Sequence, residues 1–328
     1  MRVVRPALMA CLAFVAIAVF FLASLELLFR VGVQRVSRIE QRVVREYKSV
    51  LESGRRPSSA KQVIILGNSL LESGLQFEVA RNALLTCIDA RRLVVENTNY
   101  HDWYFGLRGL FDEGSRPNAV VLVMTPRQFV GSTVRGPYFA YHLMRTADLP
   151  LVVKELKLSN TEASNLAFAN ASAFFGLSAE VRKWIAGVIF PDLPGLMNLA
   201  TRPRYQPLIE ELVYSTSLVR FQELLELTNQ YHSRFILIVP PTDDGRVMAG
   251  GYSAIRRAGV AAGVSVLIPV HPDSLLPEHY SDSGLHLNVR GAEVFTRCFV
   301  ESLRRELEAN ESADRSEIIS AVGGALPR

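Results

Sequence analysis

The stretch "VIILGNSLLESGL", residues 63–75, decides the fold. Four apolar residues, Val63 to Leu66, run into Gly67, and Asn68 and Ser69 open a segment of helical pattern. A short apolar run bounded in this way reads as a buried strand, and a small polar residue at its end reads as the start of a helix. A residue at such a turn stands at the carboxyl edge of a parallel sheet, where open α/β sheets bind ligands. Two roles compete for Ser69. As an N-cap it satisfies free N–H groups, with Glu72 three residues on, as in a capping box. As a nucleophile it gains its own N–H and the helix dipole for an oxyanion.

Strand and helix patterns alternate on either side of this turn. "RRLVVEN" (91–97), "NAVVLVMTP" (118–126), "RFILIVPP" (234–241) and "SVLIPV" (265–270) read as strands. "HDWYFGLRGLFDEG" (101–114), "TSLVRFQELLELTNQYH" (216–232), "GYSAIRRAGVAAG" (251–263) and "VRGAEVFTRCFVESLRRELEA" (289–309) read as helices. Strands that are apolar on both faces and separated by helices predict a three-layer α/β/α sandwich with a mainly parallel sheet. Residues 126–206 break the rhythm and read as a helical insertion, either a lid over a ligand site or a structural excursion.

The first 30 residues hold an apolar run from Ala7 to about Phe29, longer than the ~18 residues that mark a membrane span. It exceeds a signal-peptide core of about 7–15 residues, and the best cleavage site, near Ala23, is poor, so the segment reads as an uncleaved transmembrane anchor. Val36, Ile39, Val43 and Val50 then form a narrow apolar seam, read as an amphipathic stalk, and "SGRRPSSA" (53–60) as a linker. The expected organisation is an anchor (1–30), a stalk and linker (31–60), a domain (61–310) and a flexible tail (311–328).

Charge is uneven. Residues 1–57 hold ten Lys/Arg against four Glu, +6, which leaves −2 for the rest of a chain with net charge +4. The body is therefore not basic, which argues against a nucleic-acid partner. The six basic residues between Arg30 and Lys48 favour a cytoplasmic body by the positive-inside rule, although long domains translocate despite such charge. There is no C-x-x-C, so no zinc site is expected and no other metal is implied. Cys87 and Cys298 read as buried free thiols, or as a pair in an oxidising compartment.

A second stretch bears on Ser69. In "HYSDSGLHLNVRGAEVF", residues 279–295, His286 precedes the last helix and Asp282 lies four residues upstream. A Ser nucleophile needs a base within hydrogen-bond reach and a third group to orient that base. Ser69 after the first strand and Asp282 and His286 after the last meet that need if one sheet edge gathers them.

Together, "GNSL" (67–70) and "SGLHLNVRGA" (283–292) resemble the nucleophile block and the closing Asp-x-x-His block of the SGNH/GDSL hydrolase superfamily. The anchored form resembles the branch with the alginate O-acetylation and teichoic-acid D-alanylation proteins. The order of elements covers roughly 61–310, although only about fifteen residues carry the motifs. The resemblance implies a Ser–His–Asp acyl-enzyme with no cofactor, an acyl-polysaccharide substrate, a periplasmic-side body and a membrane-bound O-acyltransferase as partner. The chain departs from the family in three places. The family's acid precedes its His by three, where this chain has Ser283 and sets Asp282 one step further. The family's Gly block reads Asn97-Thr98-Asn99, and "TPRQF" stands where its third block has Asn. Asn68, Asn97 and Asn99 are the candidate oxyanion or substrate-binding groups. The departures also leave a second reading, a degenerate glycan-binding or scaffold module of an envelope assembly.

Overall fold

The computed structural model of the protein describes residues 4–55, 60–85, 87–190, 208–242, 249–282 and 284–323. It opens with α1 (Val4–Leu28), a π-helical turn (Phe29–Val33), α2 (Gln34–Val36) and α3 (Arg38–Leu51). Two compact units follow from the contacts within the chain. The first gathers Met1–Arg45, His101–Gly109 and Ser132–Pro203, and the second gathers Glu46–Tyr100, Leu110–Gly131 and Arg204–Arg328.

The second unit is built on five strands: β1 (Lys61–Gly67), β2 (Ile88–Val94), β3 (Ala119–Val123), β4 (Arg234–Ile238) and β5 (Ser265–Leu267). Their order is β2-β1-β3-β4-β5, and every pairing is parallel. The connecting helices are α4 (Ser69–Gly74), α5 (Phe77–Leu84), α6 (Tyr100–Asp112) and α7 (Pro126–Val130), with Glu210–Gln230, Ala249–Ala262 and the closing helix Val289–Gly323. The expected α/β/α architecture is present. Successive strand residues point to opposite faces. Val63, Ile65, Val121, Val123, Ile236 and Ile238 pack in one cluster with Phe295, Phe299, Leu303 and Leu307, which recur every four residues on the closing helix. Phe235, one residue before Ile236 and so on the opposite face, meets Phe221 of Glu210–Gln230 with ring centroids 6.5 Å apart. Each such fully buried side chain contributes about 1.5–3 kcal/mol. Because both faces are covered, β1 is buried from Gln62 to Gly67.

The seam expected on the stalk differs in the structure. Val43 and Val50 are fully buried, whereas Val36 and Ile39 are exposed. The cause is Ser37, whose extended backbone (φ −91°, ψ 113°) ends α2 and restarts the helical phase. The inward face of α3 carries Glu40, Val43, Glu46 and Val50. Within the second unit the Glu46 carboxylate accepts from Arg92 Nε at 2.8 Å and from the Val94 N–H at 2.9 Å. The Val50 carbonyl accepts from Ser115 Oγ at 2.8 Å. The end of α3 is thus part of this unit's packing. Residues 56–59 of the expected linker lie outside the described residues. The stretch expected as a flexible tail is helical through Gly323, since no Pro and no Gly interrupts it after Gly291. Cys87 is exposed and Cys298 half-buried, both as free thiols.

The first unit adds α8 (Pro137–His142), α9 (Leu149–Glu155), α10 (Asn160–Ala171) and α11 (Ala173–Ile189). The expected insertion is helical where it is described, and 191–207 lie outside the described residues. Two of this unit's buried carboxylates have basic or hydroxyl partners. Asp148 accepts from Arg108 (3.0 and 3.1 Å) and Arg145 (2.6 Å). Buried Glu40 accepts from Tyr138 Oη at 2.9 Å and lies 3.0 Å from His142 Nε2.

Candidate active site

Gly67 ends β1 where the chain must turn sharply. A Cβ there would stand 2.9 Å from Leu71 Cβ and 3.1 Å from the Val123 carbonyl, so only glycine lets the next helix start this close to the sheet. The N-cap of α4 is Asn68, with Oδ1 accepting from Leu70 N–H at 3.1 Å. Its Nδ2 donates to the Thr98 carbonyl at 3.0 Å, which ties the turn after β1 to the turn after β2. Asn68 is fully buried. Both ends of its amide are engaged, so it acts as a positioning group and does not open into the site. Ser69 is left at the first helical position, half-buried. The cap is therefore one residue earlier than Ser69, which is left without a capping role.

Asn68 presents Ser69 to the loop before the closing helix. Ser69 Oγ lies 3.0 Å from His286 Nε2, and His286 Nδ1 lies 2.6 Å from Asp282 Oδ2. An ionised carboxylate only accepts, so Nδ1 carries the proton and Nε2 offers its lone pair to the hydroxyl. Partial burial raises the Asp282 pKa, but hydrogen bonds from the His286 ring and from the backbone N–H groups of His286 and Leu285 outweigh it, holding the carboxyl below its ordinary value. Those N–H groups reach Asp282 Oδ1 at 2.9 and 2.8 Å.

The one-residue shift of the acid is absorbed locally. Gly284 takes the left-handed backbone (φ 97°), and its N–H donates to the Asp282 carbonyl at 2.8 Å. Tyr280 and Leu287 form an antiparallel bridge that closes the hairpin around the turn. The extra residue therefore widens the turn without moving the carboxylate off the imidazole. Ser283, the alternative acid position, lies outside the described residues. Asn288 anchors the hairpin: its Nδ2 donates to the carbonyls of Glu278 (2.6 Å) and Tyr280 (3.3 Å), while Oδ1 accepts from the N–H groups of Arg290 and Gly291.

The other candidates fare differently. The Ser69 N–H has no acceptor among the described residues and points as a free donor from the first helical position. Because α4 has only six residues, the macrodipole expected from the sequence reduces to this first turn. Asn97 is exposed with φ 56°, a left-handed backbone of the kind Gly supplies, so its place is in the turn. Asn99 is half-buried, with its side-chain Cγ 3.4 Å from where a Cβ on Gly131 would stand. "TPRQF" folds as a capping box, Thr125 N–H donating to Gln128 Oε1 (3.1 Å) and Gln128 N–H to Thr125 Oγ1 (3.3 Å).

Sequence reasoning missed Thr98 and Arg220. The Thr98 carbonyl receives Asn68, and its hydroxyl donates to the Val95 carbonyl at 2.7 Å. Arg220 lies 4.4 Å over the Tyr100 ring and donates to the carbonyls of Phe129 and, at 3.0 Å, Gly131, fixing the end of α7. No motif marks either residue, although an Arg on the inward stripe of a helix is a signal that it serves buried carbonyls. Among the described residues no group of three or more His, Cys, Asp or Glu is disposed to hold a metal ion.

No protein-family model and no curated protein matches the chain. Among solved structures, the chain is similar to an α/β hydrolase from the metagenome of Lake Arreo, at 12% identity and TM-score 0.38, over 75% of this chain and 95% of that one. It is similar to an acetyl-xylooligosaccharide esterase from Geobacillus stearothermophilus, at 11% identity and TM-score 0.39, over 75% and 94% of the two chains. An acetyl xylan esterase from the rumen bacterium Butyrivibrio proteoclasticus is similar at 12% identity and TM-score 0.36, over 77% and 65%.

Proposed function

We propose that the protein is a membrane-anchored serine acyl esterase or O-acyltransferase that acts on acyl groups, acetyl foremost, of a cell-envelope polysaccharide. The observation that carries the reading is the relay from Ser69 Oγ through His286 to Asp282, at 3.0 and 2.6 Å, on the carboxyl edge of a parallel sheet. Ser69 Oγ attacks the acyl carbonyl carbon while His286 Nε2 takes the hydroxyl proton. The carbonyl oxygen gathers negative charge and is met by the Ser69 N–H, with Asn99 as the amide proposed beside it. Collapse of the tetrahedral intermediate breaks the bond to the sugar oxygen, which leaves with the proton held on His286. In the second half, His286 deprotonates water or a sugar hydroxyl, that oxygen takes the acyl group as the bond to Ser69 Oγ breaks, and His286 returns the proton to Ser69 Oγ. Asp282 keeps the imidazole in the tautomer both halves require.

The resemblance of the two motifs to the SGNH/GDSL superfamily, and of the anchored form to its polysaccharide O-acetylation branch, supports the glycan substrate, a body outside the cytoplasm and a membrane-bound O-acyltransferase partner. A fluorophosphonate probe tests the nucleophile. The full chain should be labelled, and labelling should vanish in Ser69→Ala and in His286→Ala. Equal labelling of all three chains would leave the degenerate glycan-binding module as the better reading.

A further inference from the structure

Among the described residues, α11 carries an exposed apolar surface. Its first turn is tied to the end of α1 by Glu26, which accepts from Ser172 Oγ (2.7 Å), Ala173 N–H (2.9 Å) and Phe174 N–H (3.2 Å). The Phe29 ring meets Phe174 edge-on at 4.9 Å. Further along, Val181 and Trp184 line an apolar cleft with Leu28, Phe29, Val33 and Val36. Ala173, Gly176 and Leu177 are buried, whereas Trp184, Ile185, Val188 and Ile189 are exposed, the last two by 63% and 61%. Those four recur at helical spacing and make one stripe, with Arg182 and Lys183 beside it.

The occupant follows from what the stripe adjoins. The apolar helix Ala7–Val33 has 27 residues. At 1.5 Å per residue it is about 40 Å long, close to a bilayer with its headgroup regions. The cleft is formed by the last part of that helix and the residues after it. α11 itself has 17 residues with Glu180, Arg182 and Lys183 about its middle, too short and too charged to span. An apolar stripe that includes Trp, flanked by basic residues, suits the interface of an anionic bilayer.

We infer that α11 is a second membrane contact: lipid acyl chains enter the cleft, and Trp184, Ile185, Val188 and Ile189 lie in the interface with Arg182 and Lys183 among the headgroups. The inference rests on α1 spanning the bilayer. The chain has two Trp, and Trp103 is fully buried, so quenching by lipid reports on Trp184. The full chain is reconstituted in phosphatidylcholine–phosphatidylglycerol vesicles whose acyl chains are brominated near the headgroup end or near the methyl end. Emission should fall, more with bromine near the headgroup. The loss should be absent in Trp184→Phe and reduced in Val188→Asp with Ile189→Asp. Alkaline carbonate extraction, run on the same vesicles, reads the anchor separately. A chain that resists extraction without quenching leaves the span standing and overturns the α11 contact, as it would if a membrane protein covers this face. Stronger quenching from the methyl end also overturns it. Quenching before extraction, in a chain that carbonate then releases, sinks the span and with it the reading of α11 as a second contact beside an anchor. Release without quenching sinks both.

Discussion

Ser69 and Asn68 are adjacent and do opposite work, so their substitutions separate cleanly. Asn68 caps α4 and holds Thr98. Asn68→Ala should lower the melting temperature, with a cap loss of about 0.5–2 kcal/mol. Ser69→Ala removes no cap and should leave the melting temperature unchanged while reducing turnover of an acetyl ester by roughly four orders of magnitude or more. His286→Ala should match it, and the double variant should be little worse than either. Retained turnover in Ser69→Ala would end the acyl-enzyme reading. Asp282 gives a pH prediction. Its folded pKa is lowered, so its carboxylate supports folding above the unfolded value of about 3.9 and loses that role as pH falls through the folded value. Asp282→Asn should therefore flatten the fall of the melting temperature as pH drops through the acid range, and an acid dependence of melting identical in the two chains would show that the folded carboxyl is not held low.

At the scale of elements, α3 is the informative case, because its amphipathic pattern suits a free stalk and its packing does not. Val50 is fully buried and Glu46 satisfies a strand N–H. A chain beginning at Ala60 should lose the Glu46 acceptor for Val94 and the Val50 carbonyl that receives Ser115. An unsatisfied buried group costs about 1–3 kcal/mol, and here the Ser115 hydroxyl loses its acceptor together with a lost apolar contact. Such a chain should melt at lower temperature than one beginning at Ser37, measured by circular dichroism. Equal melting would return α3 to the role of a stalk. The hairpin 280–287 shows the converse: a spacing that departs from the family motif still brings Asp282 to His286, because Gly284 supplies a backbone that other residues rarely adopt.

For the whole molecule, the proposed anchor and the positive flank make opposite statements about where the body stands. We expect the body outside the cytoplasm. Alkaline phosphatase fused at the C-terminus should be active, and green fluorescent protein exported there by the general secretion route should be dark. The reverse pattern would remove the envelope glycan as a substrate. The alternation of apolar runs with helical patterns was enough to derive the parallel sheet, since strands such as "AVVLV" have no polar face to leave in water and must be covered twice. The pairing of Ser69 with His286 was legible because both follow strand ends that such a sheet brings to one edge. Three features were not legible. The cap at Asn68 depends on which of two adjacent polar side chains reaches Leu70 N–H, a matter of backbone angles. The recovery of Asp282 depends on a left-handed residue inside a turn. The burial of Val43 and Val50 in place of Val36 and Ile39 depends on a helix break at Ser37. Local pattern determines which residues must leave water. Tertiary structure alone decided where the polar groups among them find partners, because hydrogen bonds are directional and burial is not.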